Sequence, residues 1–144
     1  KYAPKIKLAE NGAPLRPGAV LIAPGGDHHL NVGHGHLSAE LVASDKVAGH
    51  RPSVDVLFGS LVPRADNVVA TLLTGMGRDG ADGMKCLRSR GAMTIAQNEA
   101  TCVVYGMPRA AIELDAADKI LPLTEIGDAI LAHAAVPVAS RSRA

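Results

Sequence analysis

One stretch limits what this chain can fold into more than any other. The apolar run Val68-Val-Ala-Thr-Leu-Leu73 passes directly into Thr74-Gly-Met-Gly-Arg-Asp-Gly-Ala-Asp-Gly-Met84. The run is short, contains β-branched residues and has polar flanks, so it predicts a buried strand. A glycine-dense turn follows, then an amphipathic segment. Strand, tight turn and helix in that order is how an α/β protein presents chemistry at the carboxyl end of its sheet. Asp79 sits in the turn among Gly75, Gly77 and Gly80, which permit unusual backbone angles and close approach of another group. A carboxylate there can fix the tautomer of a histidine. It can equally cap the following helix, and spacing alone favours the cap.

The rest of the chain extends the α/β pattern. Lys5–Ala9 alternates polar and apolar residues and reads as a strand. Ala19–Ala23 reads as a buried strand closed by Pro24-Gly25-Gly26. His29–Val32 and Leu37–Val42 are joined by Gly33-His34-Gly35, a link too short for a helical crossover, so they predict an antiparallel hairpin. Ser53 is placed to cap a helix whose Val54, Leu57, Phe58, Leu61 and Val62 share one face, with Pro63 ending it. After the 68–73 strand comes a helix seeded by Asp79 or Asp82, burying Met84 and Leu87 and stopping at Gly91.

Ala92–Ala96 is a second buried strand, ending in Gln97-Asn98-Glu99. Together these form a βαβ unit with parallel strands, which brings Thr74–Asp79 and Gln97–Glu99 to one edge of the sheet. Thr101–Tyr105 reads as a short helix. Pro108 starts another helix over Arg109–Leu114. Ile120–Leu123 reads as an edge strand, because it contains Pro122. Thr124 is placed to cap a last helix with Ile126, Ile130, Leu131 and Ala134 inward. Residues 1–136 are expected to belong to one domain and 137–144 to a frayed tail.

Composition narrows the function classes. The chain has 144 residues, 47% hydrophobic, with one Phe, two Tyr and no Trp, so its core is aliphatic. Fifteen basic and fourteen acidic residues leave a net charge of +1, which gives no argument for a nucleic-acid or membrane surface. No stretch has the roughly 20 apolar residues of a membrane span. Cys86 and Cys102 read as buried reduced thiols of a cytoplasmic protein. His28, His29, His34 and His36 crowd one hairpin, but no carboxylate or cysteine pattern completes a tetrahedral site, so an exposed polar hairpin is favoured over a metal centre. No cofactor motif is evident.

Three segments carry a resemblance to a known family. They are His50-Arg-Pro-Ser-Val-Asp-Val-Leu-Phe58, Leu73-Thr-Gly-Met-Gly-Arg-Asp-Gly-Ala-Asp-Gly-Met84 and Ile95-Ala-Gln-Asn-Glu-Ala-Thr-Cys-Val-Val-Tyr-Gly-Met-Pro-Arg109, with Ile22-Ala-Pro-Gly25 in support. They resemble the CheB-type protein-glutamate methylesterases of bacterial chemotaxis, over roughly Pro17 to Ala132. The resemblance implies a doubly wound, mostly parallel α/β sheet with an antiparallel hairpin. It implies a cytoplasmic serine hydrolase that demethylates, and in part deamidates, chemotaxis receptors. It implies that Asp79 is the aspartate of a Ser–His–Asp triad and that the Met76 amide, between Gly75 and Gly77, serves the oxyanion. Gln97 and Asn98 are candidates for lining the cleft, with satisfaction of loop backbone groups as the alternative.

The match is incomplete. None of Ser38, Ser44, Ser53, Ser60, Ser89, Ser140 and Ser142 lies in a G-x-S-x-G elbow. In the family the nucleophile and the histidine precede the region matched here, and His28, His29 and His50 do not match that histidine. The chain is therefore expected to be the C-terminal part of a catalytic domain, without the first strands and inactive alone, with a regulatory receiver domain in the parent protein. An open sheet edge would favour self-association. A non-catalytic interaction module on the same fold and a His-rich metal-binding protein are the other readings.

Overall fold

The computed structural model describes residues 5–135. Four short strands come first: β1 (Lys5–Leu8), β2 (Ala19–Ile22), β3 (His29–Val32) and β4 (Ala39–Val42). β1 and β2 pair in parallel, Lys5 opposite Ala19. β3 and β4 form the expected antiparallel hairpin, His29 opposite Val42. Helix α1 (Val54–Leu61) follows the cis Arg51–Pro52 bond and runs into a 3₁₀ segment (Val62–Asn67) at Pro63. Then come β5 (Val69–Leu72), α2 (Ala81–Ser89) and β6 (Met93–Gln97), the predicted βαβ unit. A 3₁₀ turn (Glu99–Thr101), α3 (Met107–Glu113), β7 (Lys119–Leu121) and α4 (Leu123–Ala134) complete the chain. β5, β6 and β7 lie side by side, all parallel, with Leu72 opposite Ala96 and Gln97 opposite Leu121. The architecture is mixed α/β, mostly parallel with one antiparallel pair.

The core forms where α1 and α2 meet this sheet. Met84 and Leu87 are fully buried there, and Phe58, Leu72 and Ala111 pack with them. Apolar residues three and four apart on α1 give that contact its stripe. Gly83 lets the two helices touch: a Cβ there would lie 2.8 Å from Phe58 Cβ and 3.2 Å from Asp55 Cα. Gly91, at φ +108°, follows the cap residue of α2, the stop its position predicts.

The C-terminal end of α2 is tied down by charge. Arg88 reaches Asp115 and Asp118, both at 2.8 Å. Asp118 also accepts from the Thr94 amide and hydroxyl, each at 3.0 Å. Burial pushes the Asp118 carboxyl up, but the Arg88 and Thr94 donors outweigh it and hold it below the ordinary carboxylate range.

Several expectations need correction. β2 is not buried: Val20 and Ile22 are 42% and 49% exposed, because the described residues give this two-stranded sheet little cover. Residues 102–105 are not helical, since the Val103 and Val104 amides bond Thr74 Oγ1 and hold the apolar run against the 74–75 turn. Pro122, not Thr124, is the N-cap of α4, and it lies just beyond β7. Only Ile126 is buried on α4; Leu131 and Ala134 are exposed. Cys86 is exposed and Cys102 half-buried, both free thiols. The expected tail falls outside the described residues.

Candidate active site

Asp79 sits at the end of the turn that follows β5, and the turn's geometry delivers it to α1. Gly77 and Gly80 have φ near +90°, a region that favours glycine. A Cβ on Gly80 would lie 2.7 Å from Val54 Cγ1 and 2.9 Å from Leu72 Cδ2, so only glycine lets the turn lie this close to α1. Asp79 is 7% exposed. Its Oδ1 accepts from Ser53 Oγ at 2.8 Å and from the Asp55 amide at 3.1 Å. Its Oδ2 accepts from the Val54 amide at 2.8 Å.

Asp79 is thus a cap, but of α1, across 26 residues of chain, and not of the helix that follows it. α2 starts from Gly80 with no side-chain cap of its own. Its first turn is served instead by Asp55, which accepts from the Gly83 amide at 2.7 Å. Burial pushes the Asp79 carboxyl up. The Val54 and Asp55 amides, the Ser53 hydroxyl and the field of His50 outweigh that effect and hold it below the ordinary carboxylate range. The anion is also in the favourable field of the α1 N-terminus.

Ser53 is braced in turn by a histidine that does not fit the exposed-hairpin expectation. His29 is fully buried. Its Nδ1 accepts from the Ser53 amide at 3.1 Å, and its Nε2 lies 2.9 Å from the Asp45 carbonyl oxygen. An acceptor at Nδ1 places the proton on Nε2, so His29 is a neutral imidazole donating to Asp45. His28, His34 and His36 are exposed, and among the described residues no group of three metal-binding side chains converges.

The other half of the turn is stitched to the loop after β6. The Thr74 amide donates to Gln97 Oε1 at 2.8 Å. Gln97 is fully buried and its Nε2 donates to the Thr101 carbonyl at 2.7 Å. Asn98 accepts from the Thr101 amide and hydroxyl, at 3.2 and 2.7 Å, capping the 3₁₀ turn. Thr74 Oγ1 accepts from the Val103 and Val104 amides at 3.1 and 2.8 Å. The Gly75 carbonyl accepts from Gly106 and Met107. Gly106 must be small, since a Cβ there would lie 2.6 Å from that carbonyl oxygen. Met76 stands at the outside of this braced turn, 83% exposed, and its amide has no protein partner among the described residues.

Asp79, the Gly75–Gly77 turn, Gln97 and Asn98 therefore share one edge of the β5–β6 pair, as the parallel crossover predicts. Arg78 and Arg109 stand outside, in exposed pairs with Asp82 and Glu113. Sequence reasoning missed the roles of His29 and Ser53 beside Asp79. Ser53 carries a cap signal, but nothing local tells that its hydroxyl serves a distant carboxylate.

The family model described as CheB methylesterase matches residues 1–130. The chain belongs to the CheB methylesterase family. It is 51% identical over 129 residues to protein-glutamate methylesterase/protein-glutamine glutaminase 1 of Caulobacter vibrioides, covering 88% of this chain and 38% of that protein. It is 53% identical over 131 residues to the Rhizobium etli protein of the same description, covering 90% of this chain and 38% of the relative. The CheB methylesterase catalytic domain of Thermotoga maritima superposes with a TM-score of 0.83 at 38% identity, covering 88% of this chain and 68% of that one. The chain thus spans well under half the length of these full CheB relatives and about two thirds of the catalytic domain.

Proposed function

We propose that this chain is the aspartate-bearing part of a CheB catalytic domain that hydrolyses glutamate methyl esters, and deamidates glutamines, on methyl-accepting chemotaxis receptors in the cytoplasm. The observation that carries this reading is the state of Asp79: buried, ionised, with three donors fixed at the carboxyl edge of a parallel sheet. A carboxylate has about four acceptor positions, so roughly one remains, on Oδ2, for the N–H of a histidine.

The chemistry is acyl transfer. A serine hydroxyl attacks the ester carbonyl, and a histidine takes the serine proton and returns it to the departing methanol. Serine and histidine are supplied from outside this sequence. Asp79 holds the histidine in the tautomer whose free nitrogen faces the serine, and stabilises the imidazolium that forms. The oxyanion needs a preorganised donor; the Met76 amide suits that role, and a donor of this kind is worth about 3–4 kcal/mol. Water then attacks the acyl-enzyme and frees the glutamate carboxylate. With glutamine as substrate, ammonia leaves in place of methanol. Gln97 and Asn98 act as braces that keep the Met76 turn and the 98–101 loop in place.

A receiver domain in the remainder of the parent protein would regulate access, as the resemblance implies. Methanol and ammonia release from a methylated receptor fragment tests the reading. The full-length gene product is expected to release both and the 144-residue chain neither. Turnover by the chain alone would contradict it.

A further inference from the structure

We infer that His29 is a positioning residue for the triad aspartate, acting through Ser53; the inference rests on the reading of Asp79 given above. The geometry is a relay of four groups. The Asp45 carbonyl takes the Nε2 proton of His29, the His29 Nδ1 lone pair takes the Ser53 amide, and the Ser53 hydroxyl donates to Asp79 Oδ1. His29 and Ser53 are buried, so the two bonds that Ser53 makes do not compete with water.

His29 thus anchors the residue that both starts α1 and supplies one of the three Asp79 donors. The Ser53 amide precedes α1 and has no carbonyl partner in the helix ladder, so an acceptor must come from elsewhere. A backbone carbonyl at this place would orient Ser53 equally well. An imidazole does more, because its second nitrogen ties β3 to the loop that carries Asp45. Displacing Ser53 by a fraction of an ångström would rotate Asp79 and misalign the catalytic histidine, and misplacements of about 1 Å cost up to about 100-fold in rate.

The two nitrogens can be tested apart. Asn presents its Oδ1 near the place of the imidazole Nδ1; Gln presents its Nε2 near the place of the imidazole Nε2. His29→Asn keeps the acceptor for Ser53 and loses the bond to Asp45, whereas His29→Gln does the reverse. In the full-length gene product, kcat and KM for methanol release from a methylated receptor fragment are measured for His29→Asn, His29→Gln, His29→Phe and Asp79→Asn. A positioning role predicts that His29→Gln and His29→Phe lower kcat by about 10- to 100-fold with KM unchanged. It predicts that His29→Asn recovers most of the loss.

If His29→Phe fails to fold, the Asn and Gln variants decide. Activity of the Gln variant equal to or above the Asn variant overturns the inference, because the Asp45 anchor would then be the part that matters. Carbon-13 NMR of the Asp79 carboxyl in the full-length gene product gives a reading free of turnover. His29→Gln is expected to move its titration midpoint upward and His29→Asn to leave it in place; no movement in either overturns the inference. A fully active Asp79→Asn variant would defeat the triad reading itself, whereas an inactive one beside normal His29 variants defeats only the role of His29.

Discussion

Asp79 and Asp55 each cap the other's helix. Asp79, just ahead of α2, accepts from the Val54 and Asp55 amides at the start of α1. Asp55, in the first turn of α1, accepts from the Gly83 amide in the first turn of α2 at 2.7 Å. Each helix has donors at its start with no partner of its own, and each satisfies part of them with a carboxylate from the neighbouring segment. The exchange fixes the two helix starts against each other, and with them the position of Asp79.

The exchange needs the close approach at Gly83. Gly83→Ala would gain helix propensity, about 1 kcal/mol, but its Cβ would fall 2.8 Å from Phe58 Cβ. Phe58 is core, so relief requires moving α1. The expected outcome is a net destabilisation of about 1–3 kcal/mol, read by chemical denaturation. An unchanged midpoint would mean that the helices separate freely.

Acid should unfold the protein through a small set of carboxylates. Asp79 and Asp118 both have folded pKa values below their unfolded ones. Their contribution to stability is therefore complete above the unfolded value, about pH 4, and is lost as pH falls through the lower folded values. Their loss should lower the denaturation midpoint as pH falls below about 4. Asp118→Asn should lower stability at neutral pH and flatten the acid limb. An acid limb with the same slope in the variant would remove Asp118 from the account.

Much of this was legible in the residues, for physical reasons that differ by element. β5, α2 and β6 were readable because apolar period and glycine placement are local signals. α1 was readable from Ser53 and its 3.6-residue stripe. The 102–105 segment was not, because its conformation is set by Thr74, nearly thirty residues away, which supplies the acceptor for two of its amides. The exposure of Leu131 was hidden too, since a helical stripe does not tell how far along its length the sheet extends. Of the candidate site, Asp79 stood out by its turn, but the capping of α1 by Asp79 and the burial of His29 are tertiary facts that no spacing encodes.

Gln97 offers a test of the turn. It joins the Thr74 amide to the Thr101 carbonyl from a fully buried position. Gln97→Leu would keep the volume and remove both bonds, each of which joins the buried Gln97 amide to the backbone of an exposed threonine, at about 1 kcal/mol per bond. Stability should drop accordingly. Methanol release by the full-length product should fall through kcat, as the Met76 amide loses its fixed place. A stable variant with normal kcat would show that the Thr74–Val104 bonds suffice.

The chain alone should self-associate. β5 is an edge strand of its sheet among the described residues, and Ile6 and Leu8 on β1 are 63% and 62% exposed. An open edge is a template for pairing with a second copy, and exposed aliphatic residues on the other parallel pair add apolar surface to bury. Gel filtration with light scattering should give more than one monomer mass, rising with concentration. A monodisperse monomer at all concentrations would contradict this.

The most direct test of the central claim is the kcat of Asp79→Asn in the full-length gene product, with circular dichroism to establish that it is folded. The amide would keep much of the capping of α1 but could not hold a histidine in the required tautomer. The account predicts a folded variant whose kcat for methanol release falls by about 10⁴. A folded variant with kcat within a few-fold of the parent would contradict it, and Asp79 would then be a helix cap and nothing more.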